Sequence, residues 1–207
     1  MAWTRCARIS RVGVVHMNHD GRSAGIPVTA RILEEIADVL TKLDEGHVVN
    51  LARVIHRSPR IFVVGEGRSG LMAKAFAMRL MHLGATVYVV GETITPAVGP
   101  GDLLIGVSGS GMTESTVRIV SQAKEHGVQT YAISADPASS LATVAHQCLE
   151  ISAATRHRRE GEHQTIQPLG SLFDQCLHVT LDAVCLVYAG LQQEDNASAS
   201  GRHSNLE

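Results

Sequence analysis

Aromatic side chains are scarce: 3% of the 207 residues are Phe, Trp or Tyr, which leaves Ala, Val, Leu and Ile to build the core. Net charge is small, -2 at neutral pH, and this removes any electrostatic case for a nucleic-acid partner. The four cysteines, Cys6, Cys148, Cys176 and Cys185, lack CxxC spacing and mostly fall in apolar runs, so they read as buried, reduced thiols of a cytoplasmic protein. The eleven histidines form no HExxH or comparable ligand set, and no metal is assigned. No apolar run approaches the ~20 residues that cross a bilayer, which argues against a membrane partner. The GxxxxGK[ST] pattern of a nucleotide phosphate loop is missing as well. What remains, with 44% hydrophobic residues, suits one α/β domain with a well-buried core.

Residues 1–27 show no secondary-structure period, and their arginines interrupt any apolar core that a signal peptide would need. Arg5, Arg8 and Arg11 precede the first acid at Asp20; the segment is expected to be a poorly ordered extension, with Met17 as an alternative start. A single domain is expected over 28–191, followed by a tail, 192–207, whose first part reads as flexible. Two helices open the domain. Ile32, Leu33, Ile36, Val39, Leu40 and Leu43 share one helical face, and Val48, Val49, Leu51, Ala52 and Ile55 form a second stripe that Ser58-Pro59 ends.

From there strands alternate with helices. Strands are predicted at 61–64, 86–90, 103–107, 130–134 and 148–151, and helices at 70–83, 113–126, 139–146 and 171–191. Short apolar strands separated by amphipathic helices make a three-layer αβα sandwich around a five-stranded parallel sheet. In the flavodoxin-like order 2-1-3-4-5 the switch point lies between the first and third strands, where ligands bind beyond the carboxyl ends.

Both of those strands end in glycine loops. Leu103 to Val107 runs into Ser108-Gly109-Ser110-Gly111-Met112-Thr113 and then a helix, a combination that aims backbone N–H groups and three hydroxyls at one place and favours an anion. Taken singly, the loop is also compatible with a flexible linker or an ordinary turn. Ile61 to Val64 runs into Gly65-Glu66-Gly67-Arg68-Ser69-Gly70, and two such devices imply a shared phosphate site. The second loop also matches GxGxxG, with Glu92 roughly twenty residues on, so a dinucleotide site is a rival reading. The run Arg156-His157-Arg158-Arg159 reads as a solvated loop, with an anion-binding role for one arginine as the alternative.

Several longer motifs are more specific. Gly67-Arg-Ser-Gly70, Phe76-Ala-Met-Arg-Leu-Met-His-Leu-Gly84, Val90-Gly-Glu-Thr93, Ser108-Gly-Ser-Gly111, Pro168-Leu-Gly170 with Phe173, and Arg202-His-Ser-Asn-Leu206 resemble the 6-phospho-3-hexuloisomerase family of sugar isomerase (SIS) domain proteins, from about Val28 to the C-terminus. The resemblance implies interconversion of D-arabino-hex-3-ulose 6-phosphate and fructose 6-phosphate in the ribulose monophosphate pathway of formaldehyde fixation, without cofactor, by a homotetramer that associates functionally with the hexulose-phosphate synthase. A non-catalytic module that senses a sugar phosphate is the alternative.

Within that frame Asp174 is the expected base, although the family usually has Glu there, and His82 and His203 are the other catalytic candidates. Ser69, Ser108, Ser110 and Thr113 are expected to anchor the phosphate, and Gly67, Arg68, Gly109 and Gln167 are expected to bind the substrate. Arg79 and Glu92 are expected to position sugar hydroxyls, with a structural ion pair as the alternative for either, and the C-terminal segment carrying His203 is expected to reach an active site, its own or a neighbour's.

Overall fold

A computed structural model describes residues 26–206 except residue 160. The expectations for residues 1–25, Cys6 among them, lie outside the described residues. Helix α1 (Val28–Leu40) leads into α2 (Glu45–Arg57), which the Asp44 side chain starts by accepting the Gly46 N–H at 2.8 Å. Then follow β1 (Ile61–Gly65), α3 (Gly67–His82), β2 (Val87–Val89), β3 (Leu103–Val107), α4 (Glu114–Glu125), β4 (Gln129–Ser134), α5 (Ser140–Val144), β5 (Gln147–Glu150), α6 (Ser171–Gln192) and α7 (Asn196–Gly201).

All strand pairings are parallel, in the order β2-β1-β3-β4-β5. Side chains alternate across the sheet as the pleat requires. Ile61, Val63, Leu103, Ile105, Tyr131 and Ile133 pack with residues of α2, α3 and α6, whereas Phe62, Val64, Leu104 and Ala132 pack with Val120 and Ala123 of α4 and Leu141 of α5. Three layers result, as the strand pattern implied.

Three elements differ from the expectation. Helix α3 begins at Gly67 rather than at residue 70: the Gly70 N–H already bonds the Glu66 carbonyl at 3.0 Å, so the first glycine loop is largely the helix's opening turn. Helix α6 is, by length and composition, apolar enough to cross a membrane, yet ten of its residues, from Leu172 to Tyr188, are buried within the protein. Its core stripe includes Leu177 and Leu181, while Val179 is 45% exposed. The tail, expected to be flexible, holds the short α7, which starts with a capping box between Asp195 and Ser198. Arg202 fastens it, donating to both Glu194 carboxylate oxygens at 2.9 and 2.8 Å and to the His82 carbonyl at 3.1 Å.

Candidate active site

A cavity of about 600 Å³ opens beyond the carboxyl ends of β1 and β3, where the strand order reverses. The loops after β1 and β3 and the start of α6 line it, together with Thr155 and Arg156 after β5.

The first loop depends on two glycines. Gly67 turns the chain at φ 57°, and a Cβ on Gly70 would lie 2.5 Å from the Gly65 carbonyl oxygen, so α3 rests directly on β1. This close approach brings Arg68 and Ser69 to the cavity wall. The loop after β3 is braced through its backbone, the Gly111 N–H bonding the Ser108 carbonyl and the Ala135 N–H the Gly109 carbonyl, each at 3.0 Å. Gly111 sits at φ 62° with Ser139 so near that a Cβ would fall 2.0 Å from its Oγ. Around this frame Ser108 and Thr113 share a hydrogen bond at 2.8 Å, and Ser110 Oγ accepts the Met112 N–H at 3.3 Å. Thr113 holds the N-cap position of α4 with its hydroxyl on Ser108 rather than on the helix, and the first N–H groups and positive dipole end of α4 favour an anion here.

Across the cavity stands Asp174, in the first turn of α6 and only 5% exposed. Burial raises its carboxyl above the usual range; the Ser69 hydroxyl, donating to Oδ1 at 2.7 Å, and the Arg68 guanidinium, 3.8 Å from Oδ2, act in the opposite direction. Arg68 also donates to Ser171 Oγ at 2.9 Å. Phe173, the preceding residue, packs against Gly109, where a Cβ would meet its ring at 2.9 Å. The structure thus gathers Gly67, Arg68, Ser69, Ser108, Gly109, Ser110, Thr113 and Asp174 at one cavity.

Five expected residues lie elsewhere. Gln167 is buried with its amide on Glu35 at 3.1 Å; Thr165 and the Ile166 N–H bond the same carboxylate, which they hold below its usual range although burial works to raise it. Glu92 pairs with Lys74 at 2.7 Å on the surface, outside the cavity, and this also removes the acid that the dinucleotide reading needs. Arg79 and His82 lie on α3 about 15 and 20 Å along the helix from Ser69, at 1.5 Å per residue. His203 stacks on His82, ring centroids 5.1 Å apart, so neither histidine reaches this chain's own cavity. Burial, then His203 and Arg79, hold the His82 imidazole below its ordinary value.

Other wall residues were not foreseen: Glu66, Thr155, Leu169 and Ser171. Ser171 had a local signal, a hydroxyl directly after Pro-x-Gly at a helix start. The arginine run divides: Arg158 donates to the Thr155 and Gln167 carbonyls and Arg159 pairs with Asp136 at 3.2 Å, while Arg156 alone of the three lines this cavity. Among the described residues, no group of three or more His, Cys, Asp or Glu is arranged to hold a metal ion.

Residues 54–178, more than half of the chain, match the SIS domain family, and the chain belongs to that family. It is 40% identical over 179 residues to the 3-hexulose-6-phosphate isomerase of Bacillus subtilis (strain 168), covering 86% of this chain and 96% of that one. Identity to the 3-hexulose-6-phosphate isomerase of Mycobacterium gastri is 42% over 176 residues, covering 85% and 88%. A solved structure from Methanococcus jannaschii, from which a 3-hexulose-6-phosphate isomerase function was inferred, matches with a TM-score of 0.73 at 32% identity, covering 87% of this chain and 97% of that one.

Proposed function

We propose that the protein is a 6-phospho-3-hexuloisomerase, converting D-arabino-hex-3-ulose 6-phosphate to fructose 6-phosphate. One observation carries the reading: a buried carboxylate, Asp174, faces a hydroxyl-lined helix N-terminus across a single cavity. The relatives at 40 and 42% identity, both 3-hexulose-6-phosphate isomerases, fit it.

The cradle of Ser108, Ser110, Thr113 and the α4 N-terminus takes the phosphate and so fixes the distance of the reacting carbons from it. Asp174 removes the proton from C2. The electron pair of that bond forms the C2–C3 double bond, and the C3 carbonyl oxygen becomes the enediolate oxygen. Arg68, the cation beside Asp174, faces negative charge as it passes from the carboxylate to the enediolate. Asp174 then returns the proton to C3 while the hydroxyl proton on O2 moves to O3. Burial suits the carboxylate to this task, since a carboxylate raised above its exposed value is a stronger base.

The domain reading remains as stated, one SIS domain over 28–191 preceded by an extension and followed by a tail. His82 and His203, remote from the cavity of their own chain, serve the cavity of a neighbour in a homotetramer. The setting is cytoplasmic formaldehyde fixation in a methylotroph, with the hexulose-phosphate synthase as functional partner.

The test is a coupled assay that supplies the hexulose 6-phosphate and detects fructose 6-phosphate, with and without chelator, for the wild type and Asp174→Asn. Turnover that survives chelation in the wild type and falls roughly 100- to 10,000-fold in the variant is expected for the loss of a general base. Tight sugar-phosphate binding with no wild-type turnover would replace the enzyme with a sensor.

A further inference from the structure

Ser69 belongs to the cavity wall, yet its hydroxyl is already engaged. It donates to Asp174 Oδ1 at 2.7 Å, joining the first turn of α3 to the first turn of α6. A serine has one O–H proton, and a phosphate dianion has none to offer in return, so Ser69 cannot donate to Asp174 and to the substrate's phosphate at once. The hydroxyls of Ser108, Ser110 and Thr113 are free of any carboxylate partner and lie on the opposite loop.

The two partners of Asp174 differ in kind. Arg68 is donor-only, so its favourable interaction is with the ionised carboxylate. A serine hydroxyl is neutral: it donates to Oδ1 of the carboxylate and keeps that bond, more weakly, when Oδ2 carries the proton and Oδ1 is the carbonyl oxygen. A base that holds a carbon-derived proton for part of each turnover passes through both states. Ser69 matches both.

We infer that Ser69 is the positioning residue of the base: it fixes the Asp174 rotamer through Oδ1, stays bonded whether Asp174 is ionised or protonated, and leaves Oδ2 as the oxygen that accepts the C2 proton and delivers it to C3. The inference rests on the isomerase reading only for the identity of the proton. The charged groups around the pair are Arg68 beside it, Glu66 and Glu114 at the starts of α3 and α4, and Arg156 on the loop after β5. Of these Arg68 is the one whose charge bears on the carboxyl, 3.8 Å from Oδ2, and it favours the ionised form.

Ser69→Ala and Ser69→Thr in the full chain test this. Four readouts are taken: kcat and KM, the pH profile of kcat/KM, the affinity for inorganic phosphate, and the titration of the ¹³C-labelled Asp174 carboxyl, assigned with Asp174→Asn. In Ser69→Ala kcat is expected to fall 10- to 100-fold, with phosphate affinity within twofold of the wild type. The acid limb and the Asp174 titration both move to higher pH, because a donor that favours the ionised form is gone. Ser69→Thr restores most of the rate.

A variant with raised KM and weakened phosphate binding, but with rate, acid limb and Asp174 titration unmoved, would make Ser69 a phosphate ligand and overturn the inference. Should the wild type lack turnover, the isomerase reading fails, and an unmoved Asp174 titration in Ser69→Ala would separately sink this one.

Discussion

Two buried aspartates show how surroundings divide one residue type into structural and reactive forms. Asp102, 2% exposed at the start of β3, accepts the Arg60 Nε–H at 2.8 Å and the Gly99 N–H at 2.8 Å. Burial alone would raise it, yet these bonds outweigh burial and hold it below the usual carboxylate range. Asp174 has one short hydrogen bond and a looser cation, burial prevails, and its carboxyl is raised. His82 is perturbed in the direction expected of a buried base. Its folded value lies below 6.5, so the unfolded chain protonates first as pH falls. The stability His82 contributes is therefore complete above about 6.5 and is lost as pH falls through the folded value. Thermal unfolding followed from pH 7.5 down to 5.5 should show a steeper fall in Tm for the wild type than for His82→Asn; parallel slopes would mean that His82 is as easily protonated in the folded chain as in the unfolded one.

The strand–glycine loop–helix devices set the geometry at the next scale. Because a Cβ at position 70 would press to 2.5 Å on the Gly65 carbonyl, Gly70→Ala must lift α3 away from β1. Overpacking of this kind costs about 1–3 kcal/mol, and the shift would also move Ser69 away from Asp174. The expected result is a drop in denaturation midpoint together with at least a tenfold loss of turnover; an unchanged midpoint would show that the contact relaxes freely. Both loops were legible in the sequence because glycines, hydroxyls and the helix that follows are local signals, and the parallel strands followed from apolar runs spaced by helical periods, while their order was taken from the flavodoxin-like arrangement. The opening turn of α3 was read as loop because its glycines mask a helix start. Helix α7 was missed because Ala, Ser and Gly give no apolar stripe, although Asp195 and Ser198 stood at capping-box spacing. Gln167 was misplaced for a different reason: its partner Glu35 is 132 residues away, and no local pattern shows such a contact. The distance of His82 from the cavity was recoverable, since His82 lies thirteen positions beyond Ser69 on one continuous helix.

At the scale of the whole molecule, the chain carries its two sets of candidate catalytic groups at opposite ends of α3. Leu71 and Met78, a heptad apart on α3, and Val179 and Leu186, a heptad apart on α6, are exposed apolar residues on adjoining helices, as subunit contact would use. If the His82 end of one subunit completes the cavity of another, two inactive proteins should repair each other. Co-expressing His82→Ala with Asp174→Asn should restore roughly a quarter of wild-type activity, the share of intact sites in randomly paired symmetric subunits. A mixture as inactive as its components, with hybrid oligomers confirmed by mass, would confine His82 to a structural role.

The clasp between α1 and the segment before α6 bears on how the protein is made. Glu35 is synthesised before its three partners, Thr165, Ile166 and Gln167, which come 130 to 132 residues later. At about 5–20 residues per second, α1 waits several seconds or more on the ribosome before the segment it holds exists. The apolar face of α1 stays uncovered for that interval, because α6, its principal packing partner, is later still. The nascent chain is thus open to chaperone capture or aggregation until α6 has emerged, and a product truncated before Thr165 lacks both the clasp and Asp174.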